Sequence, residues 1–307
     1  MYRRLLVPLD GSRMAEAVLP AVEQLAVVCE STVILLHIIE RTAHTTIHGD
    51  RHLTAPGEAT AYLREIAARL ENRGITVEAH THDAPEGDVA RSIADHAEEE
   101  HAELIVLCAH GRGGIRGLLF GSIAQQVLRR GSAPVLLVRP AQDGSAFPFA
   151  PRAVLVPLDE TPAAEAALPP ACALARVFGA ALHLLMVVPT QATIRGERSA
   201  TTTLLPIASQ AALELEYQEA QRYLDGLVAS LRESGLQVST FVARGDVAPA
   251  LAAAATEPGV GLVVVATHSR TGLQTVWSRS ATANLLAQPG TPILLLRRGA
   301  DSEAGDS

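Results

Sequence analysis

The residues best suited to chemistry lie in one loop, His110-Gly-Arg-Gly-Gly-Ile-Arg-Gly-Leu-Leu-Phe-Gly-Ser122. Its glycines let backbone N–H groups approach an anion and adopt positive φ. The first N–H groups of a following helix, near Gly121, Ser122 and Ile123, would point toward that anion. The Ser122 hydroxyl adds a donor or a cap. Arg112 and Arg116 bring positive charge to a chain of net charge −8. The pattern suits phosphate, and it also suits a tight strand-to-helix turn with no ligand. The P-loop signature ending in Gly-Lys-Ser/Thr is absent. Asp10, closing the run LLVPLD, is the second candidate.

Histidines offer a different chemistry. The chain has eleven, nine of them in its first half. His44, His48 and His52 would share a face on a helix and could ligate a metal. Their segment, TAHTTIHGDRH, carries β-branched residues and Gly49 and falls where a loop is expected, so a solvated polar loop is the plainer reading. His80 and His82 alternate on an edge-like strand and share a face. His110 sits where it could hold the loop backbone or approach a ligand. Cys29, Cys108 and Cys172 form no CxxC pair, which excludes a zinc knuckle or a dithiol motif.

The elements that must position these residues occur twice. LLVPLD ending at Asp10 returns as VLVPLD ending at Asp159, and Gly87-Asp88-Val89-Ala90 as Gly245-Asp246-Val247-Ala248. ELIVLCAHGRGG around His110 returns as GLVVVATHSRTG around His268, and APVLLVR as TPILLLR. Such a repeat governs the fold reading. In the first copy, apolar runs at Arg3–Leu9, Val33–Ile39, Ile75–Thr81, Glu103–Ala109 and Pro134–Val138 read as strands. Helices fill the intervals: one from Ser12 to about Cys29, one over Glu58–Arg73 closed by Gly74, one over Gly87–Glu100, and one over Ser122–Arg130. The order predicts an α/β fold with right-handed crossovers: two tandem doubly wound five-stranded parallel-sheet domains, strand order 3-2-1-4-5. The expected divisions are domain one at 1–140, a linker at 141–151, domain two at 152–298 and a disordered tail at 299–307. In such a sheet the order reverses between strands one and four, where Asp10 and the glycine loop fall.

Taken together, VPLDGS at 7–12, LLHII at 35–39, Gly87 and the segment from Cys108 through LLFGSIAQQVLRRGSAPVLLVR make the chain resemble the universal stress protein family in its tandem form. The resemblance covers both copies. It implies a Rossmann-like, adenine-nucleotide-alpha-hydrolase-like fold and a stress-response role. ATP-binding members resemble Gly-x-x-Gly, nine residues, then Gly-Ser/Thr. The matching positions are Cys108, Gly111 and Gly121-Ser122, so a cysteine replaces the glycine at the ribose. By resemblance, Leu9 and Asp10 flank adenine, and Ile38 and Ile39 offer backbone to its edge. Gly111, Gly121, Ser122 and Ile123 hold the phosphates, with His110 and Arg112 beside them and Mg²⁺ accompanying the nucleotide, which is ATP or else AMP or ADP.

In the second copy the matching positions are Ala266, Ser269 and Arg279-Ser280. Arg279 would project a cation where a phosphate meets bare backbone, either filling a degenerate site or recruiting a phosphate through its guanidinium; the former is the favoured reading, so nucleotide binding is expected mainly in domain one. Asp159 is expected to persist as a turn residue. The resemblance also implies an intrachain pseudo-dimer through the last strands of the two domains and leaves room for a further homodimer.

The acidic balance argues against nucleic acid or a membrane surface as partner. The absence of a leader-like or spanning apolar run points to the cytoplasm. The expected function is regulatory adenine-nucleotide binding, not dedicated catalysis. The alternatives are a tandem scaffold without nucleotide, or a slow ATP-hydrolysing enzyme.

Overall fold

The computed structural model describes residues 1–40, 46–47, 50–51, 53–84, 88–109, 122–141, 143–194, 205–267 and 291–297. The chain divides into two compact units. The first takes residues 1–150 together with the strand Ile293–Arg297, and the second takes residues 151–267.

The first unit runs β1 (Arg4–Pro8), α1 (Arg13–Glu16), α2 (Leu19–Cys29), β2 (Thr32–Glu40), β3 (Thr46–Ile47), β4 (Asp50–Arg51), α3 (Pro56–Glu71), β5 (Thr76–Ala84), α4 (Val89–Glu99), β6 (Leu104–Cys108), α5 (Ser122–Arg130) and β7 (Val135–Val138). Its large strands lie in the order β7-β6-β1-β2-β5, all parallel. That is the order 3-2-1-4-5 in strand sequence. Helices on both faces explain why β1 and the centre of β2 are unbroken apolar runs. Leu5, Leu6 and Val7, and Val33 through Leu36, are fully buried. Each such Leu or Ile contributes roughly 1.5–3 kcal/mol relative to exposure. β5 alternates because it is an edge of this sheet. At the other edge, Ile293–Arg297 pairs antiparallel with β7, Ile293 opposite Leu137 and Leu295 opposite Val135.

Two local expectations change. The helix expected from Ser12 to Cys29 is two helices, because Pro20 has no N–H to give to Glu16. The chain turns between them through three-residue-spaced bonds, Ala17 N–H to Met14 and Val18 N–H to Ala15. The polar segment before α3 is not loop throughout: β3 and β4 form a short antiparallel hairpin. His44, His48 and His52 lie outside the described residues.

The second unit repeats the plan with β8 (Ala153–Pro157), α6 (Pro162–Glu165), α7 (Leu168–Phe178), β9 (Ala181–Val188), α8 (Pro206–Glu233), β10 (Val238–Arg244), α9 (Val247–Ala255) and β11 (Val260–Thr267). Its strands stand in the order β10-β9-β8-β11. The fifth strand of the repeat, Ile293–Arg297, is β12, which pairs with β7 in the first unit. Among the described residues no helix is long and apolar enough to cross a membrane.

Candidate functional site

In the first unit β1 is flanked by β2 on one side and β6 on the other, so the crossovers diverge at its carboxyl end. Asp10 lies there. Its Oδ1 accepts the Ser12 N–H at 2.9 Å, closing an Asx turn. Ser12 is fully buried, and its Oγ accepts the Ala15 N–H at 3.1 Å to cap α1. Gly11 between them has φ +87°. The turn is a sequence-local device, and it fixes where the strand hands over to the helix.

Cys108 ends β6, opposite Val138 of β7. Burial pushes its thiol up to about 12, and the next cause is the Asp10 carboxylate. The ends of β1 and β6 therefore bring Asp10 and Cys108 into one electrostatic neighbourhood. Tyr62 of α3 joins them: burial raises its phenol above the usual range, followed by the charges of Glu16 and Asp10.

β2 outruns β1. The Leu9 N–H bonds the Leu36 carbonyl at 2.8 Å, so Leu36 turns its polar groups toward β1. Backbone direction alternates along a strand. Ile38 therefore turns its N–H and C=O to that same side, beyond the end of β1, while Ile39 turns toward β5, opposite Asp83. The side chains of Leu9, Ile38 and Ile39 are all buried.

One residue that sequence reasoning passed over braces this corner. His37 is fully buried, with Nδ1 2.7 Å from the Leu9 carbonyl and Nε2 2.9 Å from the Leu53 carbonyl. Leu53 belongs to the segment after β4, which folds back over the strand ends. Asp50 of β4 accepts the Arg13 N–H at 3.0 Å, and Leu53 packs directly on Gly11. The signal was a single polar residue inside the apolar run VILLHIIE.

Of the residues expected to hold phosphate, Ser122 opens α5 and Ile123 is half-exposed in its first turn, while Ala124 and Val127 bury the other face of that helix. His110, Gly111, Arg112 and Gly121 lie outside the described residues.

The second unit keeps the turn and not the brace. Asp159 Oδ1 accepts the Thr161 N–H at 3.2 Å and its hydroxyl at 2.5 Å, and Thr161 Oγ1 caps the Ala164 N–H. Leu158 N–H bonds the Leu185 carbonyl as Leu9 bonds Leu36. Met186 stands where the first copy has His37. Ala266, the counterpart of Cys108, is buried; Ser269, Arg279 and Ser280 lie outside the described residues.

Fold and strand order define a tandem α/β protein of the doubly wound class. The model of the universal stress protein family matches residues 1–139 and again 151–297, and the chain belongs to that family. A universal stress protein of Bacillus subtilis (strain 168) is 28% identical over 152 residues, covering 45% of this chain and all of the relative. One from Synechocystis sp. is 32% identical over 139 residues, covering 45% of this chain and 86% of the relative. The fold of the whole chain is like that of a universal stress protein from Archaeoglobus fulgidus, with TM-score 0.68 and 19% identity over 97% of each chain.

Proposed function

We propose that the first repeat binds an adenine nucleotide, ATP or AMP, as a regulatory ligand. The observation that carries this reading is that β1, which leads into Asp10, and β6, which ends at Cys108, are neighbouring parallel strands at the point where strand order reverses. Open α/β sheets bind ligands there. Leu9, Ile38 and Ile39 supply buried apolar surface suited to adenine, and the alternation of β2 makes Ile38 the backbone reader of its edge. The first turn of α5, with Gly121 and Ser122, supplies N–H groups for phosphate. By resemblance, Gly111, Arg112 and His110 belong to the same phosphate site, and Mg²⁺ accompanies the phosphates. In the second repeat Arg279 replaces the phosphate-facing glycine, so nucleotide loading is confined mainly to the first. The antiparallel register of β7 with β12 supports an intrachain pairing of the two repeats through their last strands.

A second reading, a tandem scaffold without nucleotide, is favoured by Cys108, whose side chain stands where ATP-binding relatives of this pattern have glycine. Calorimetric titration of the full chain with ATP and AMP, with and without Mg²⁺, separates the two. The expected result is saturable binding by the wild type and at least a tenfold loss in Gly121→Arg, which copies the second repeat into the first. No binding at millimolar nucleotide would discard the nucleotide reading. Undiminished binding by Gly121→Arg would discard the assigned site.

A further inference from the structure

Away from the strand ends, a cluster of metal-ligating side chains bridges β5 and α4. His80 Nδ1 lies 2.8 Å from His96 Nε2 and 3.6 Å from Glu100 Oε1. One donor atom from each of the three residues lies within 4.8 Å of the other two. His96 and Glu100 are four residues apart at the end of one helix, so they share a face. His80 projects from the facing strand.

We propose that His80 Nδ1, His96 Nε2 and the Glu100 carboxylate form a site for a divalent first-row transition-metal ion such as Zn²⁺, with an open position toward solvent. Two imidazoles and one carboxylate are a borderline donor set that suits such an ion. Donors at about 2.0–2.2 Å around a tetrahedral ion stand about 3.3 Å apart. The two edges at His80, 2.8 and 3.6 Å, bracket that spacing, and the third lies within 4.8 Å.

Proton bookkeeping accommodates an ion as readily as a plain hydrogen bond. A neutral imidazole has one N–H. Among the described residues, His96 Nδ1 is buried with no hydrogen-bond partner. If His80 donates to His96 Nε2, the proton of His96 sits on that buried Nδ1. If His96 donates instead, a buried lone pair faces nothing. A cation held by Nε2 turns Nδ1–H toward Glu99, whose Oε2 is 3.6 Å away. A carboxylate behind a ligating histidine orients the ring and raises its basicity.

Arg4 is the cation that could oppose an ion. Its guanidinium is shared between Glu78, at 3.0 and 3.2 Å, and Glu100 Oε2, at 2.8 Å, and its Nε donates to the Glu100 carbonyl. These contacts fix Glu100 so that Oε1 faces His80. One guanidinium between two carboxylates leaves a net negative charge beside the two rings. His82 lies on the same face, its ring 6.2 Å from that of His96.

The second repeat supplies an internal contrast. Phe241, Ala254 and Pro258 stand at the positions of His80, His96 and Glu100. The same helix and strand form there without the cluster, so this packing does not require it.

The test uses the full chain stripped with chelator, titrated calorimetrically with Zn²⁺ and optically with Co²⁺. The expected result is one Zn²⁺ per chain at micromolar affinity and a Co²⁺ visible band. His80→Ala/Glu100→Gln, both partly exposed positions, should weaken Zn²⁺ at least 30-fold with the unfolding midpoint retained. His44→Ala/His48→Ala/His52→Ala should leave it unchanged. No binding at 100-fold lower affinity than expected, about 100 µM Zn²⁺, would overturn the proposal. So would wild-type affinity in the double variant, or loss of binding in the triple variant.

Discussion

Gly11 and Glu160 occupy the same turn in the two repeats and hold the same left-handed conformation, with φ of +87° and +63°. Each follows the aspartate of an Asx turn and precedes the residue that caps a helix. An L-residue in this region costs roughly 1–2 kcal/mol where glycine costs little. Glu160→Gly should therefore raise stability by about 1 kcal/mol, read as a shift in the denaturant midpoint. Gly11→Glu should lower it by about 2 kcal/mol or more, because the new Cβ would stand within 2.7 Å of Leu53.

On the nucleotide reading, the Asx turn separates two roles for Asp10. Asp10→Asn keeps an Oδ1 to accept the Ser12 N–H, so the fold should hold while nucleotide binding falls. Asp10→Ala should lose both, at a cost of about 1 kcal/mol for the turn. Parallel calorimetry and thermal unfolding distinguish the outcomes. If Asp10→Asn binds nucleotide as the wild type does, the carboxylate charge has no part in the site.

His37 ties the ends of β1 and β2 to the segment carrying Leu53. Replacing it by the residue of the second repeat, His37→Met, leaves two carbonyls without these partners. The expected loss is about 1–3 kcal/mol. Faster amide exchange around residues 50–55 is expected before any change in the β8–β11 sheet.

Cys108 should resist thiol reagents in the native state. With its pKa pushed up to about 12, the thiolate is about one part in 10⁴ at pH 8. Labelling should climb with pH and become complete only on unfolding. Between the ordinary thiol range and pH 12 the native state keeps a proton that the unfolded state releases. Stability from this group is thus lost as pH rises above about 9. On the nucleotide reading, Cys108→Gly should tighten ATP severalfold, measured by the same titration.

Several of these features could be read from residue order. The unbroken runs of β1 and β2 announce strands buried on both faces, and the alternation of β5 announces an edge. Asp10-Gly11-Ser12 encodes its own turn, because each contact spans three residues or fewer. The break between α1 and α2 was also present in the sequence, in Pro20, and its weight was missed. His37 was visible as a polar residue in an apolar strand, but its partners, Leu9 and Leu53, are 28 and 16 residues away.

By itself the sequence determined the repeat, the parallel α/β plan, the local turns and caps, and the family to which the chain belongs. Those rest on periodicity and short-range chemistry, which one strand or one turn contains. Only the tertiary structure decided that His37 reaches Leu53 and that His80 meets His96 and Glu100. Each of these unites residues from different elements. Their approach is set by sheet order and helix packing, and neither the type of a residue nor its spacing along the chain encodes that distance.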